Sequence, residues 1–217
     1  MEFDRFEELL GRGARQLDIE LDEKQSRNLH RYFLELRHWS RKINLIARGS
    51  SDEQIIENHF IDSLALLNLF ETSTAALLDI GSGAGFPGLV CKAARPEMKV
   101  GLVEPRMKRV SFLRHVIRQL ELSGVIIQAC RLEDGIELEG QADYGWVVSR
   151  AVTDIGAFLQ MCGRFKQYGS RIVCMKGPRY QDELDAQADA AHGWRLQSTR
   201  SYRLPYSGAQ RVLLVFE

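Results

Sequence analysis

Residues 77–90 read LLDIGSGAGFPGLV, an apolar run that delivers Asp79 and then Gly81, Gly83, Gly85 and Gly88 in close succession. A turn this bare lets the main chain approach a ligand closely, and a helix beginning just behind it offers unpaired N–H groups to whatever lies there. Placed after a strand, such a turn belongs in the crevice at the carboxyl ends of an open α/β sheet. The stretch therefore predicts a strand, turn and helix in that order.

The rest of the chain agrees. From residue 75 onward, short apolar runs alternate with helical stretches, as expected of a sheet covered by helices on both faces. The candidate strands are ALLDI, KVGLVE, GVIIQA, YGWVVS, SRIVCMK, WRLQSTRSYRL and QRVLLVF. Helices fit around 86–95, 107–122 and 154–167, and DELDAQADAAH fits after the fifth run. The last two runs are joined by PYSGA, too short for a helical crossover, so they predict an antiparallel hairpin. The expected fold class is α/β: a seven-stranded, mostly parallel, Rossmann-like sheet with one reversed pair, which suits a class I methyltransferase better than a dinucleotide domain. Residues 1–73 read instead as a helical extension preceding a catalytic domain at 74–217. Leu29, Tyr32, Phe33 and Leu36 repeat at helical spacing, Asp22 with Gln25 forms a candidate capping box, and a further helix runs through DEQIIENHFIDSLALLNLF.

Composition narrows the function classes. The 217 residues carry 29 Lys plus Arg against 29 Asp plus Glu, so any charged partner must be met by local patches rather than by a basic whole. Cys91, Cys130, Cys162 and Cys174 lack metal-ligand spacing, which predicts no metal site and reduced thiols in a cytoplasmic protein. No apolar run approaches the roughly 20 residues that span a bilayer, and the acidic, amphipathic start does not resemble a signal peptide. No membrane partner and a monomer are the expectations.

Gly83, Gly85 and Gly88 satisfy G-x-G-x-x-G, the pattern of dinucleotide-binding turns. The context argues otherwise: Asp79 precedes the glycines, where it would repel a pyrophosphate but could face an ammonium, and Pro87 removes an amide from the helix start. These features favour S-adenosylmethionine, whose ammonium and sulfonium are cationic. Gly81, Ser82, Gly83, Gly85 and Phe86 are the loop candidates. Glu104, ending the second strand, is placed to accept from ribose hydroxyls. Leu132 and Glu133 after the third strand would flank adenine, and Arg150 after the fourth faces the crevice. The ordinary alternatives are a turn cap for Glu133 and a surface ion pair for Arg150.

Taken together, HFIDS at 59–63, LLDIGSGAGFPG at 77–88, KRVSFLR at 108–114, RLED at 131–134, SRA at 149–151 and MKG at 175–177 resemble the bacterial ribosomal small subunit methyltransferase G family, also called glucose-inhibited division protein B. The resemblance implies a seven-stranded methyltransferase domain behind a helical extension, S-adenosylmethionine as donor, and N7 of a guanine in 16S ribosomal RNA as acceptor. It implies cofactor contacts at Gly81, Phe86, Leu132, Glu133 and Arg150. Where the family has W-N-x-x-x-N-L-T, this chain has WSRKINLIA, with Ser40 and Ile46 as departures. Other readings are a methyltransferase of a small molecule or protein, and a non-catalytic RNA or ribosome-assembly module.

Guanine N7 has a free lone pair at neutral pH, so methylation there asks for placement rather than a general base, and no catalytic residue is assigned. RNA phosphates would be met by RMKRVSFLRHVIR at 106–118, which holds basic residues and no acid, with Lys108, Arg109 and Arg114 exposed on one helical face. Lys176 and Arg179 after the fifth strand are further candidates. Arg37, Arg41, Lys42 and Arg48, and Arg195, Arg200, Arg203 and Arg211, form two smaller clusters. Such runs are more often solvated helix faces. His59 and Asp62, three apart on one helical face, read as a local hydrogen bond joining extension to core. Trp39, Trp146 and Trp194 read as core, Trp146 in mid-strand.

Overall fold

The computed structural model describes residues 1–70, 74–150, 153–185 and 193–217. The strands are β1 (Ala76–Ile80), β2 (Lys99–Val103), β3 (Val125–Gln128), β4 (Trp146–Arg150), β5 (Arg171–Lys176), β6 (Leu196–Arg203) and β7 (Gln210–Phe216). They form one seven-stranded sheet in the order β3-β2-β1-β4-β5-β7-β6. β7 runs antiparallel to both β5 and β6, and the remaining pairs are parallel. The chain winds outward from β1 to β2 and β3, then returns to the other side of β1 for β4. That reversal is where an open sheet leaves a crevice at its carboxyl edge.

Alternation along the strands sends neighbouring residues into opposite layers. Leu77, Val100, Leu102, Val148, Val173 and Val215 join one buried cluster; Leu78, Ile80, Val103, Val147, Ile172 and Leu214 join the other. Both faces are covered, so the parallel strands are apolar at nearly every position. β6 lies at the edge, mostly exposed, where Arg200 and Arg203 oppose pairing with another sheet.

Helices α1 (Phe3–Arg15) and α2 (Glu23–Ser40) pack on the first layer, and Asp22 and Gln25 form the capping box that the sequence predicts, with both bonds 2.7 Å. The helical stretch that follows is less regular than its sequence suggests. α3 (Asp52–Ile55) passes into a π-helical segment (Ile56–Ile61), then α4 (Asp62–Leu64) and a 3₁₀ turn (Ala65–Leu69). The wider π turn shifts the residues after it around the helix axis. Its polar residues are held by groups far along the chain: buried Glu57 accepts from the amides of Tyr206 at 2.6 Å and Ser207 at 2.8 Å in the β6–β7 turn.

The remaining helices are α5 (Gly88–Ala94), α6 (Met107–Gln119), α7 (Ile155–Met161), continued by a 3₁₀ segment (Cys162–Tyr168), and α8 (Tyr180–Asp185). α8 begins two residues ahead of the expected DELDAQADAAH helix, and positions 186–192 of that run lie outside the described residues. Trp146 opens β4 instead of sitting within it; it is half-buried, edge-on to Phe70 at 5.2 Å. Trp194 is buried, with its indole N–H on the Leu159 carbonyl at 2.9 Å. Cys91, Cys162 and Cys174 are buried free thiols and Cys130 is partly exposed.

The extension and the sheet share one apolar layer: Tyr32 stacks on Phe86 at 5.7 Å and Phe60 meets Phe86 edge-on at 5.5 Å. Where α5 crosses β1 and β2, Gly88 leaves no room for a side chain. A Cβ there would lie 2.7 Å from Leu102 Cδ2 and 2.9 Å from Asp79 Oδ2. Gly88→Ala is expected to destabilise the protein by about 1–3 kcal/mol, the usual cost of overpacking, measured as a lower urea midpoint at unchanged m-value.

Candidate functional site

Beyond β1 the chain turns at Gly81, Gly83 and Gly85, all at positive φ, which is why the loop consists of residues without a Cβ. Gly81 and Ser82 donate their amides to the Val103 carbonyl at 2.8 and 3.1 Å, tying the turn to the end of β2. The Gly83 amide reaches the Glu104 carboxylate at 3.0 Å, and the Arg106 amide reaches its other oxygen at 2.8 Å. Arg109, one turn into α6, adds an ion pair at 3.5 Å. Glu104 is 2% exposed, so its charge is held by directed donors, not by water.

These groups border a cavity of about 1030 Å³ that runs along the carboxyl edge of the sheet. Of the residues expected to hold a cofactor, Gly81, Ser82, Gly83, Phe86, Glu104, Leu132, Glu133 and Arg150 line it. Asp79 and Gly85 do not. Asp79 is fully buried and turned under the loop, where Oδ2 accepts from the Gly88 amide at 2.9 Å and Oδ1 has no partner. The carboxylate that the sequence offered to a ligand ammonium is thus directed at the start of α5, because the same bare turn that opens the cavity also exposes that amide. Burial raises its pKa to about 7. Gly85 faces the extension: Tyr32, also fully buried, donates to the Ala84 carbonyl, and its hydroxyl occupies the space that a Gly85 side chain would need.

The other end of the cavity is built from pieces far apart in sequence. Arg150, at the end of β4, donates to the Asn58 carbonyl at 2.6 Å, to Asp62 at 3.2 Å and to His59 Nδ1 at 3.0 Å, and its guanidinium lies over Phe86 at 5.3 Å. His59 stacks on Phe86 at 5.0 Å. Asp62 also receives Tyr202 at 2.8 Å and Arg211 at 3.4 Å. The expected His59–Asp62 bond is replaced by a bridge through Arg150. The surface ion pair considered for Arg150 is a half-buried network instead. Burial and the Arg150 charge lower the His59 pKa to about 3, so its ring is neutral at physiological pH.

Most of the RNA candidates stay outside. Lys108 and Arg114 are exposed on α6 and Arg179 is exposed beyond β5; none of the three lines the cavity. Arg109 lines it but is paired with Glu104. Lys176 also lines it, donating to the Thr153 carbonyl at 2.7 Å and to Glu183 at 2.8 Å. Sequence reasoning missed Asn58 and Tyr32: only helix periodicity marks them, and periodicity does not announce a main-chain or phenolic contact across the fold. In the sequence Arg211 reads only as one charge of a basic cluster.

Residues 25–212 match the family model described as rRNA small subunit methyltransferase G. The chain is 51% identical over 218 residues to the ribosomal RNA small subunit methyltransferase G of Desulfotalea psychrophila, covering 99% of both proteins. The chain belongs to the rRNA small subunit methyltransferase G family. The Myxococcus xanthus member is 39% identical, covering 98% of this chain and 97% of that protein. Among solved structures, M. jannaschii TYW2 in complex with AdoMet superposes with a TM-score of 0.55 at 17% identity, covering 82% of this chain and 79% of that one. The ribosomal protein L11 methylase of Lactobacillus delbrueckii subsp. bulgaricus gives 0.53 at 10% identity, covering 74% and 78%. These distant likenesses establish the class I methyltransferase fold that the family implies. No group of metal-binding side chains occurs among the described residues, and no described helix is long and apolar enough to cross a membrane.

The Asp79 geometry has a pH signature in this family member. Below its unfolded pKa near 3.8 the carboxyl is protonated in both states. As pH rises toward 7 the unfolded chain ionises while the native one holds its proton, so stability is lost and levels off above about 7. Asp79→Asn, which has no such titration, is expected to gain about 4 kcal/mol relative to wild type between pH 4 and 8, read from paired urea melts.

Proposed function

We propose that the protein transfers a methyl group from S-adenosylmethionine to N7 of a guanine in 16S ribosomal RNA, acting as a monomer in the cytoplasm on RNA or on the small subunit. The observation that carries this reading is the juxtaposition of two differently furnished halves in one cavity, in a chain of this family. One half has a bare turn, a buried acid and an apolar-acidic corner; the other has a neutral imidazole and an arginine network.

The residues fit the donor. Glu104, already fixed by the Gly83 and Arg106 amides, keeps lone pairs for ribose hydroxyls. Leu132 is buried and Glu133 exposed at the same corner, which offers an apolar face and an acceptor to an adenine amino group. The Gly81–Gly83 turn, without side chains in the way, leaves its main chain open to the amino acid end. When bound, S-adenosylmethionine supplies an electrophilic methyl on a sulfonium.

This chain's own groups position and shield. Arg150 from β4 and His59 from the extension both pack on Phe86, so the junction of donor and acceptor spaces is set by a rigid aromatic. No general base is required, because N7 attacks with a lone pair and loses no proton. The residual thiols are unpaired, which fits a reducing compartment. The exposed cations of α6, Lys108, Arg114 and Arg118, would hold phosphates outside the cavity without entering it.

The test supplies methyl-labelled S-adenosylmethionine with naked 16S RNA, small subunits and a metabolite pool. Label on a guanine of the RNA is the expected result; label only on a metabolite or protein, or binding without transfer, overturns the reading. For the donor half, Glu104→Ala is expected to weaken S-adenosylmethionine binding at least tenfold in titration calorimetry, since it removes the ribose acceptor and unpairs Arg109.

A further inference from the structure

The cavity of about 1030 Å³ is at the upper limit of pockets that hold one ligand, roughly 300–1,000 Å³, so space remains beside the donor. Asn58, His59, Arg150, Lys176 and Arg211 line that remainder. Most of their polar groups are committed. Arg150 serves Asn58, Asp62 and His59; Arg211 serves Asp62 and Asn58; Lys176 serves Thr153 and Glu183.

His59 is different. Its Nδ1 faces an Arg150 N–H at 3.0 Å, and a guanidinium has no acceptor, so Nδ1 must carry the lone pair. A neutral ring then holds its proton on Nε2. That N–H finds no acceptor among the described residues and belongs to a ring lining the cavity. Stacking on Phe86 at 5.0 Å with 19° between the planes sets the plane of the ring, and the Arg150 contact at Nδ1 sets its rotation within that plane.

A fixed donor selects an acceptor. The edge of guanine that carries N7 presents O6 beside it, whereas adenine presents an amino group at that position. Donation to N7 would occupy the lone pair that must attack, so only O6 is a productive partner. A neutral N–H also withdraws less electron density from the ring than a cation would. We infer that the part of the cavity beyond the donor is a subsite for a 6-oxopurine base, with His59 Nε2–H donating to O6 and rejecting adenine. This rests on the guanine-N7 reading above.

The experiment first maps the nucleotide that the wild type labels, then replaces that guanine with 2-aminopurine, which keeps N7 and lacks O6, by splinted ligation. On guanine substrate, His59→Ala is expected to lower kcat/KM about 30-fold with S-adenosylmethionine affinity changed less than about threefold. His59→Gln, which can place an amide N–H near the Nε2 position, should recover most of that loss. On 2-aminopurine substrate the wild type should itself be slow, and His59→Ala should change it less than about threefold. An equal loss on both substrates would mean a structural role, and a loss that follows cofactor affinity would mean that the N–H serves the donor; either overturns the inference, as does no loss at all. Wild-type label absent from guanine N7 refutes the parent reading instead, a failure seen before any variant is made.

Discussion

The guanidinium of Arg150 joins two parts of the chain that have no sequence adjacency. It emerges from the end of β4 and is held by a carbonyl, a carboxylate and an imidazole of the π-helical stretch and the turn after it. Its flat face rests on Phe86, which the glycine loop presents two residues before α5. A half-buried cation with this many partners is stable only if all of them are in place. The extension, the glycine turn and the fourth strand therefore all meet on one side chain, which ties them together at the mouth of the cavity in addition to the apolar layer they share.

Electrostatics follow from that placement. Asp62, buried, is shared by Arg150 and Arg211 and takes the Tyr202 hydroxyl, so one carboxylate meets two guanidiniums and the far end of the cavity keeps a net positive charge. At the near end Glu104 plays the matching part for Arg109 and two amides. Lys108, Arg114 and Arg118 on α6 are exposed outside the cavity, where a polyanion can be met without desolvating them.

Much of this was legible in the sequence. The seven strands, the closing hairpin and the Asp22 capping box follow from periodicity and turn chemistry; two of the strand runs match the structure residue for residue and the other five differ by one or two residues at an end. Glycine spacing located the turn, and the position of Glu104 at a strand end located the acid beside it. What did not follow was side-chain direction. Asp79 has the residue type and spacing of a ligand contact, yet a nearer amide, that of Gly88, captures it. Lys176 reads as a phosphate contact, but Glu183, one α8 turn on, takes its charge. The π turn was illegible because it changes the helical phase without changing composition. Such competitions are decided by distances of a few ångströms across the fold, which a linear pattern does not contain.

The hydroxyl of Tyr32 beneath Gly85 has a consequence for how proteins of this kind can be recombined. The extension supplies the floor on which the glycine turn rests, and the turn has given up a side chain to receive it. A catalytic sheet cut free at residue 74 would keep every loop glycine and lose the surface that shapes them. Chimeras exchanging the amino-terminal helices between relatives would have to carry the tyrosine and the glycine as one inherited unit.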